Sequence, residues 1–271
     1  MYSSFFSGFS LTQIPEYLVH IYAFIFGMCI GSFLNVCIYR LPAFKSIISP
    51  SSSCPTCGKT IKFYDNIPVL SYLILKGRCR YCKSPISLRY ACVEIITGLL
   101  ALCSFLKYGL SLQALIIFAF ISALIVITYI DIDHKIIPNR ITLPGIPIFL
   151  FAALIFPEMH LTDSLLGILS GGGSLFLIAW IYKAITKKTG MGGGDIKLLA
   201  MIGAMIGWKG VLFTIYVASA AGTAVGVLLM LVKGKNMKFA IPFGPFLSIG
   251  AITYIFLGEL IIERYFLFMH G

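Results

Sequence analysis

Carboxylates are rare in this sequence, and three of them occupy positions where chemistry could occur. Only 10 of the 271 residues are Asp or Glu. Asp131 and Asp133 follow a long apolar run, and Asp195 follows three glycines at 192–194. Two facing carboxylates share one proton, so the ionised group can accept a proton from water while the protonated group hydrogen-bonds a carbonyl. Such a pair could hydrolyse a peptide bond without a serine or cysteine nucleophile.

Simpler roles for the same carboxylates stay open at this point. Asp131 and Asp133 could be solvated near a membrane interface or pair with Lys135 or Arg140, and Asp195 could cap the helix that follows it. A proton or ion site in a transporter would also place carboxylates at membrane depth. Transporters usually contain inverted repeats, and none is evident in this sequence. Residue chemistry alone therefore leaves a catalytic pair, a transport site and structural roles as alternatives.

The glycines before Asp195 indicate close approach of another backbone. Glycine adopts positive φ readily and carries no side chain. Unwound backbone at membrane depth is tolerated where it lines a wet cavity. We therefore expect residues 192–194 to offer a surface against which a substrate strand could lie.

Four cysteines form the second chemical pattern, Cys54-x-x-Cys57 followed by Cys79-x-x-Cys82. Two such pairs at this spacing are typical of a structural zinc site, in which four thiolates leave no open coordination position. Some fifty residues of polar loop bury little core, so a metal staple would supply folding free energy. Disulfides or a redox pair are the alternatives, and disulfides are rare in the cytoplasm. The other four cysteines are interpreted as small apolar fillers: Cys29, Cys37, Cys92 and Cys103.

Composition identifies the elements that must position these groups. The chain is 59% hydrophobic and 11% charged, whereas soluble domains carry about 25% charged residues. Because a membrane-spanning helix needs about 20 apolar residues, we predict an all-α polytopic membrane protein with about eight transmembrane helices and a zinc-stapled cytoplasmic loop. The predicted spans are 17–37, 91–107, 112–130, 141–157, 163–183, 196–208, 210–232 and 243–262.

The basic residues set the orientation. If the loop at 38–90 faces inward, all of the 21 Lys and Arg residues except Lys107, Lys209 and Arg264 lie on the inner side of these spans. This asymmetry follows the positive-inside rule. It places the cysteine loop and the aspartates in the cytoplasm and both termini outside. The net charge of +11 is thus explained by the lipid bilayer and its anionic headgroups, and binding to nucleic acid is not expected.

Ordered sequence blocks resemble those of one family. The glycines and Asp195 match the GxGD signature of membrane aspartic proteases, and the chain over residues 24–250 resembles the bacterial type IV prepilin peptidases, which are bifunctional leader peptidases and N-methyltransferases of the inner membrane. The matching blocks are Gly31-Ser-Phe-Leu-Asn35-Val-Cys-Ile-Tyr-Arg40-Leu-Pro42, the two cysteine pairs, Asp65-Asn66-Ile-Pro68, Glu94-x-x-Thr97-Gly98, the stretches around Asp131 and Asp195, and Ile241-Pro242-Phe243-Gly244-Pro245.

The resemblance implies a specific activity. Such an enzyme removes the short basic leader of type IV prepilins or pseudopilins, cutting after glycine and usually before phenylalanine. It then methylates the new N-terminal amine with S-adenosylmethionine. Asp131 and Asp195 correspond to the two catalytic aspartates, with Asp133 as competitor for the first role. The supporting active-site residues implied by the motifs are Gly192, Gly194, Lys197, Pro242 and Gly244.

The binding site for the methyl donor is the least defined part of the sequence. No glycine-rich nucleotide fingerprint follows a strand. The candidates are polar residues of the matched N-terminal blocks, for which loop scaffolding is the alternative: Asn35, Arg40, Asp65, Asn66 and Glu94. We expect three segments, a first transmembrane segment at 1–37, a methyltransferase-associated loop at 38–90 and a protease core at 91–271. A non-enzymatic assembly factor with a zinc-stapled loop is the remaining alternative.

Overall fold

The computed structural model describes residues 15–187, 192–233 and 241–270, which are mainly helical. The helices are α1 (Glu16–Arg40), α2 (Leu70–Ile74), α3 (Arg89–Tyr108), α4 (Leu112–His134), α5 (Asn139–Ala153), α6 (Leu161–Ile168), α7 (Ser174–Thr186), α8 (Gly193–Lys233) and α9 (Gly244–His270). Within these ranges the only strand-like pairings are isolated bridges, between Ser53 and Thr60 and between Arg78 and Pro85. The predicted all-α fold class is confirmed. Residues 1–14, Lys188, Lys235 and Lys238, which enter the orientation argument, lie outside the described residues.

Within the described ranges, five helical segments are long and apolar enough to cross a membrane, so the protein is a multi-pass membrane protein. Helix α5 and the apolar part of α9 are shorter. Helix α8 has 41 residues, about 60 Å at the usual rise, but Gly207 breaks it with φ 68° and ψ 179°. The break lies near the end of the predicted span 196–208, and the predicted span 210–232 begins three residues after it. Each of the eight predicted runs lies mainly within a helix, although 141–157 extends four residues past the end of α5, and the count of eight crossings stays a prediction.

The described chain divides into two compact units. The first contains residues 15–35 and 50–118, in which α1 and α3 pack closely. A Cβ at Gly27 would lie 2.5 Å from the Ala101 Cβ, and one at Gly31 would lie 2.8 Å from the Glu94 Cα. Small residues at such positions allow two membrane helices to approach along their backbones.

The second unit contains residues 36–49 and the described residues from 119 onward, and α8 lies at its centre. Leu198, Leu199 and Ile202 in the first half of α8 are fully buried. Helix α8 packs against α5, α6 and α9. Helices α6 and α7 are joined by a π-helical segment, Leu169–Gly173, and the three form one continuous apolar helix.

Glycines mediate the closest contact in this unit. The backbones of Gly167 on α6 and Gly203 on α8 approach so closely that a Cβ on either residue would overlap the carbonyl of the other. Gly171 in the π segment likewise abuts the Leu199 carbonyl, 2.6 Å from where its Cβ would lie. Because backbone atoms cannot move aside as flexible side chains do, this seam tolerates only glycine.

We predict that Gly203→Ala destabilises the protein, because the new methyl group forces α6 and α8 apart. The cost of such overpacking is about 1–3 kcal/mol, measurable as a lower apparent melting temperature in one detergent. Gly173→Ala is the matched control, since no described side chain or distant backbone atom lies within 4 Å of the position its methyl group would take and Ala favours helix by about 1 kcal/mol. Equal melting temperatures for the two variants would contradict the packing argument.

Candidate active site and candidate metal centre

Asp131 lies in the last turn of α4 and is only 5% exposed. Its Oδ2 accepts a hydrogen bond of 2.9 Å from the backbone N–H of Gly244, the first residue of α9. A Cβ at Gly244 would lie 2.7 Å from the same oxygen, so a side chain there would displace the carboxylate. The unpaired N–H groups at a helix N-terminus suit a carboxylate, and glycine lets the α9 terminus reach this one.

Asp195 lies in the first turn of α8 and is half-buried. The charge of Asp131 acts on the Asp195 carboxyl, so the two groups lie within electrostatic range of each other. They are carried by different helices, and both lie at helix ends. The two carboxylates therefore lie near each other within the second unit.

The connection between α4 and α5 holds α8 in this position. Gly194 packs on Ile137, whose Cβ lies 2.8 Å from where a glycine Cβ would be. Two residues after Asp195, the Lys197 Nζ donates a 2.9 Å hydrogen bond to Oδ1 of Asn139 at the start of α5. Neither Ile137 nor Asn139 was predicted to belong to the site, although both lie in the Ile137-Pro138-Asn139 stretch that follows Asp131 in the matching block.

The other predicted site residues differ in their surroundings. Asp133, the competitor of Asp131, is exposed. Pro242 is half-buried and lies two residues before Gly244. Gly192 and Gly193 are exposed, and no described side chain or distant backbone atom lies within 4 Å of a Cβ at Gly193. None of glycines 192–194 adopts the positive φ that their composition permits, because Gly193 and Gly194 already belong to α8.

Most candidates for the methyl-donor site bond to protein groups. The Asn35 side chain donates to the Tyr90 carbonyl at 3.1 Å, and Glu94, which is 8% exposed, accepts from the Val69 N–H at 2.8 Å. In the second unit, the Arg40 guanidinium donates to a backbone carbonyl at 3.0 Å. Asn66 is exposed at the end of a short 3₁₀ turn.

Asp65, the fifth of these candidates, forms an ion pair. Arg80 donates to both carboxylate oxygens of Asp65, with Nε contacts of 3.0 and 2.8 Å and an Nη2 contact of 2.5 Å. This bidentate bond with the Arg80 guanidinium lowers the pKa of the Asp65 carboxyl below its ordinary value. The pair ties the 3₁₀ turn to the second cysteine pair.

The two cysteine pairs adopt matching turns. In each turn the first cysteine N–H bonds to a carbonyl five residues later, Cys54 to Lys59 and Cys79 to Ser84. The fourth residue after the first cysteine has positive φ, 70° at Gly58 and 58° at Lys83. An isolated β-bridge closes the base of each turn. Such a turn directs both of its cysteine side chains to one side.

The four sulfurs of Cys54, Cys57, Cys79 and Cys82 lie within 4.8 Å of one another and could hold one metal ion. Tetrahedral metal–thiolate bonds of about 2.3 Å place sulfurs about 3.8 Å apart, and the Cys54 and Cys82 sulfurs are separated by 3.8 Å. The Ser84 hydroxyl contacts both of these sulfurs, at 3.7 and 3.1 Å, as a second-layer group would.

The protonation chemistry of the cluster also fits a cation. Hydrogen bonds from the Cys57 and Thr56 backbone lower the pKa of the Cys54 thiol to about 6, and the Ser84 hydroxyl lowers the pKa of Cys82. The Lys59 backbone hydrogen bond favours the Cys57 thiolate, but burial and the neighbouring Cys54 and Cys82 raise its pKa to about 11. A bound cation removes this mutual repulsion and deprotonates the remaining thiol.

The structure is that of a multi-pass membrane protein in which two carboxylates lie near each other and four cysteines cluster. Family models match the regions that contain the two groups. Residues 25–108 match the Bacterial Peptidase A24 N-terminal domain and residues 118–227 match the Type IV leader peptidase family. The chain belongs to the type IV leader peptidase family.

Three similar proteins share the same name. The chain is 36% identical to the "Prepilin leader peptidase/N-methyltransferase" of Pseudomonas putida, over 92% of this chain and 94% of that protein. Proteins of the same name from Myxococcus xanthus and Pseudomonas aeruginosa are 36% and 35% identical, over 83% and 89% of this chain and over 68% and 91% of their own lengths. No solved structure matches the chain significantly. The predicted family resemblance is confirmed.

We predict that Cys79→Ser removes the metal, because three thiolates and a hydroxyl bind a soft cation much more weakly than four thiolates. Elemental analysis of purified protein should find about one metal ion per wild-type chain and much less in the variant. Cys103→Ser is the control, since Cys103 lies on α3 outside the cluster. Full metal content in Cys79→Ser would contradict the four-thiolate site.

Proposed function

We propose that this protein is a membrane aspartic endopeptidase and N-methyltransferase that removes the leader of type IV prepilins or pseudopilins and methylates the new N-terminus. Family membership supports the activity, and the observation that supports the catalytic assignment is the convergence of Asp131 and Asp195 from separate helices. We place the enzyme in the bacterial inner membrane, with both aspartates and the cysteine loop on the cytoplasmic side, as the distribution of basic residues favours.

In the proposed mechanism the two carboxyl groups share one proton. The ionised group accepts a proton from a water molecule as the water oxygen bonds to the scissile carbonyl carbon. The protonated group hydrogen-bonds the carbonyl oxygen and then supplies the proton that the departing amine takes as the C–N bond breaks. Because the groups are coupled, the apparent pKa values of the reaction belong to the pair.

Asp131 is favoured over Asp133 as the partner of Asp195. Asp131 is buried, its Oδ2 is held by Gly244, and its charge acts on Asp195. Asp133 is exposed, and residues two apart on a helix point in very different directions. In this assignment Gly244 and Pro242 place the α9 terminus on Asp131, while Gly194 and Lys197 hold the start of α8.

The substrate is proposed to lie along the open surface beside Asp195. Gly192 and Gly193 are exposed, so an extended backbone can approach them closely. The apolar stem of the prepilin would pack against the membrane helices with its basic leader in the cytoplasm. Holding the scissile bond in one place reduces the entropy lost at the reaction step. Cleavage after glycine and before phenylalanine is the expected specificity.

The first unit is proposed to serve methyl transfer. Zinc is the expected metal, since four thiolates in a tetrahedron suit it and leave no open position for catalysis. S-adenosylmethionine is the expected methyl donor. Its proposed contacts in this unit come from Asn35, Asp65, Asn66 and Glu94, while Arg40, the fifth candidate implied by the motifs, belongs to the second unit. Of these, Asn66 is exposed, whereas the carboxylate of Asp65 forms an ion pair with Arg80.

We predict that Asp131→Asn and Asp195→Asn each lower cleavage by at least about 10²–10⁴-fold, since each removes one carboxylate from acid–base chemistry. Asp133→Asn is the matched control and should cleave like the wild type. The assay is processing of a purified prepilin by enzyme in liposomes, with mass spectrometry of the new N-terminus to report cut site and methyl group together.

Two outcomes of this assay would overturn the assignment. Loss of cleavage in Asp133→Asn with activity retained in Asp131→Asn would make Asp133 the catalytic partner. Wild-type liposomes that never process prepilin, but whose proton or ion flux depends on Asp131 and Asp195, would identify a transporter.

We further predict that Cys54→Ser lowers methylation more than cleavage, because the metal organises the loop of the first unit while both aspartates lie in the second. The same mass spectrometric assay measures the ratio of methylated to unmethylated product. Cys103→Ser should leave that ratio unchanged. An equal loss of both activities would show that the loop is needed for the whole fold or for substrate docking.

A further inference from the structure

Helix α2, in the cysteine loop of the first unit, has its polar and apolar sides inverted. Its one serine, Ser71, is 9% exposed, and the Ser71 hydroxyl donates to the carbonyls of Tyr64 and Ile67. Leu73 and Ile74 are 64% and 73% exposed. In water the hydrophobic effect favours burial of leucine and exposure of serine, so the orientation of α2 is unfavourable if water is its only neighbour.

The exposed apolar residues are clustered within twelve positions of the chain, 63–74. Leu70, Leu73 and Ile74 follow the i, i+3, i+4 spacing that places side chains on one face of a helix. Ile67 precedes them by one turn, and Phe63, in the adjoining 3₁₀ turn, is 86% exposed. We call these five residues the apolar face: Phe63, Ile67, Leu70, Leu73 and Ile74. Exposed apolar clusters of this kind usually contact a protein or a membrane.

Charge around the apolar face identifies a lipid surface as the partner. Lys62 adjoins Phe63, and Lys76 and Arg78 follow Ile74 within four residues, all three exposed. The one acidic residue between positions 41 and 88 is Asp65, and its carboxylate is bound by Arg80. Basic side chains bordering an apolar helix face are the pattern of interfacial membrane segments, which bind anionic headgroups and insert their apolar side chains just below them.

The connections of the loop favour the same partner. The loop is tied at one end to the span Tyr17–Arg40 and at the other to the span Arg89–Tyr108. Both of these helix ends therefore leave or enter the membrane on the same side, which holds the loop at a bilayer surface. A soluble protein partner would have to cover the apolar face in competition with lipid that is always present.

We propose that the apolar face is a membrane-interface anchor, which inserts into the headgroup region of an anionic leaflet and orients the cysteine loop on the bilayer. The anchor is independent of the proposed catalytic activity.

The test uses tryptophan fluorescence of the full-length protein in nanodiscs that hold one enzyme copy. The probe variant carries Leu73→Trp together with Trp180→Phe and Trp208→Phe, which remove the two native tryptophans. The comparison variant carries Ser51→Trp in the same background, since Ser51 is an exposed polar residue of the same loop that lies outside both cysteine turns. The nanodiscs contain phosphatidylglycerol and a phosphatidylcholine brominated on its acyl chains near the headgroup. Metal content of each variant confirms that the loop is folded.

We expect the probe variant to emit at shorter wavelength than the comparison variant and to lose more of its emission to the brominated lipid. Replacing phosphatidylglycerol with uncharged lipid should weaken the quenching of the probe variant. Two results would overturn the proposal: quenching of the probe variant no stronger than that of the comparison variant, or a blue shift of the probe variant that appears only when a prepilin is added. The second result would assign the apolar face to the substrate.

Discussion

The hydrogen bond from the Gly244 N–H to the Asp131 carboxylate joins residues 113 positions apart, and the arrangement of the second unit depends on it. A carboxylate at membrane depth is costly unless it is paired or faces water. Asp131 is buried at a helix end where a second helix terminus supplies a donor. The bond fixes Oδ2 of the carboxylate, and in the proposed mechanism Oδ1 is available for proton transfer. It also requires that no side chain lies between the end of α4 and the start of α9.

The position of Asp195 depends on contacts of a different kind. Helix α8 must begin beside Asp131, and three features hold it there: Gly194 against Ile137, Lys197 bonded to Asn139, and the glycine seam with α6. The seam brings backbone against backbone, so it defines the spacing of the helices more sharply than flexible side chains would. Gly207, with its positive φ, then ends the first half of α8 and lets the rest of the chain change direction. A rigid support of this type suits the proposed mechanism, in which the two carboxyl groups share one proton.

The loop of the first unit is stabilised by a different set of interactions. This loop is too short and polar to fold by burial alone, and its stability depends on the two cysteine turns, the Asp65–Arg80 ion pair and the bond between Val69 and Glu94. The apolar residues that such a loop would ordinarily bury are instead exposed on α2. Metal binding and contact with lipid together would replace the missing core, which explains how a small loop between two spans can hold a defined shape.

The sequence by itself determined the features that arise from local patterns. The apolar runs predicted helices because span length and composition are local properties, and the spacing of Cys54, Cys57, Cys79 and Cys82 predicted a metal cluster because each turn is formed by neighbouring residues. The family motifs in the sequence also identified Asp131 and Asp195 as the candidate catalytic residues. Only the tertiary structure decided that Asp131 is buried while Asp133 is exposed, that Gly244 bonds to Asp131, that Lys197 meets Asn139 across 58 positions, and that α2 faces its leucines outward. These features depend on which faces of distant helices pack together, and no local pattern of residues specifies that.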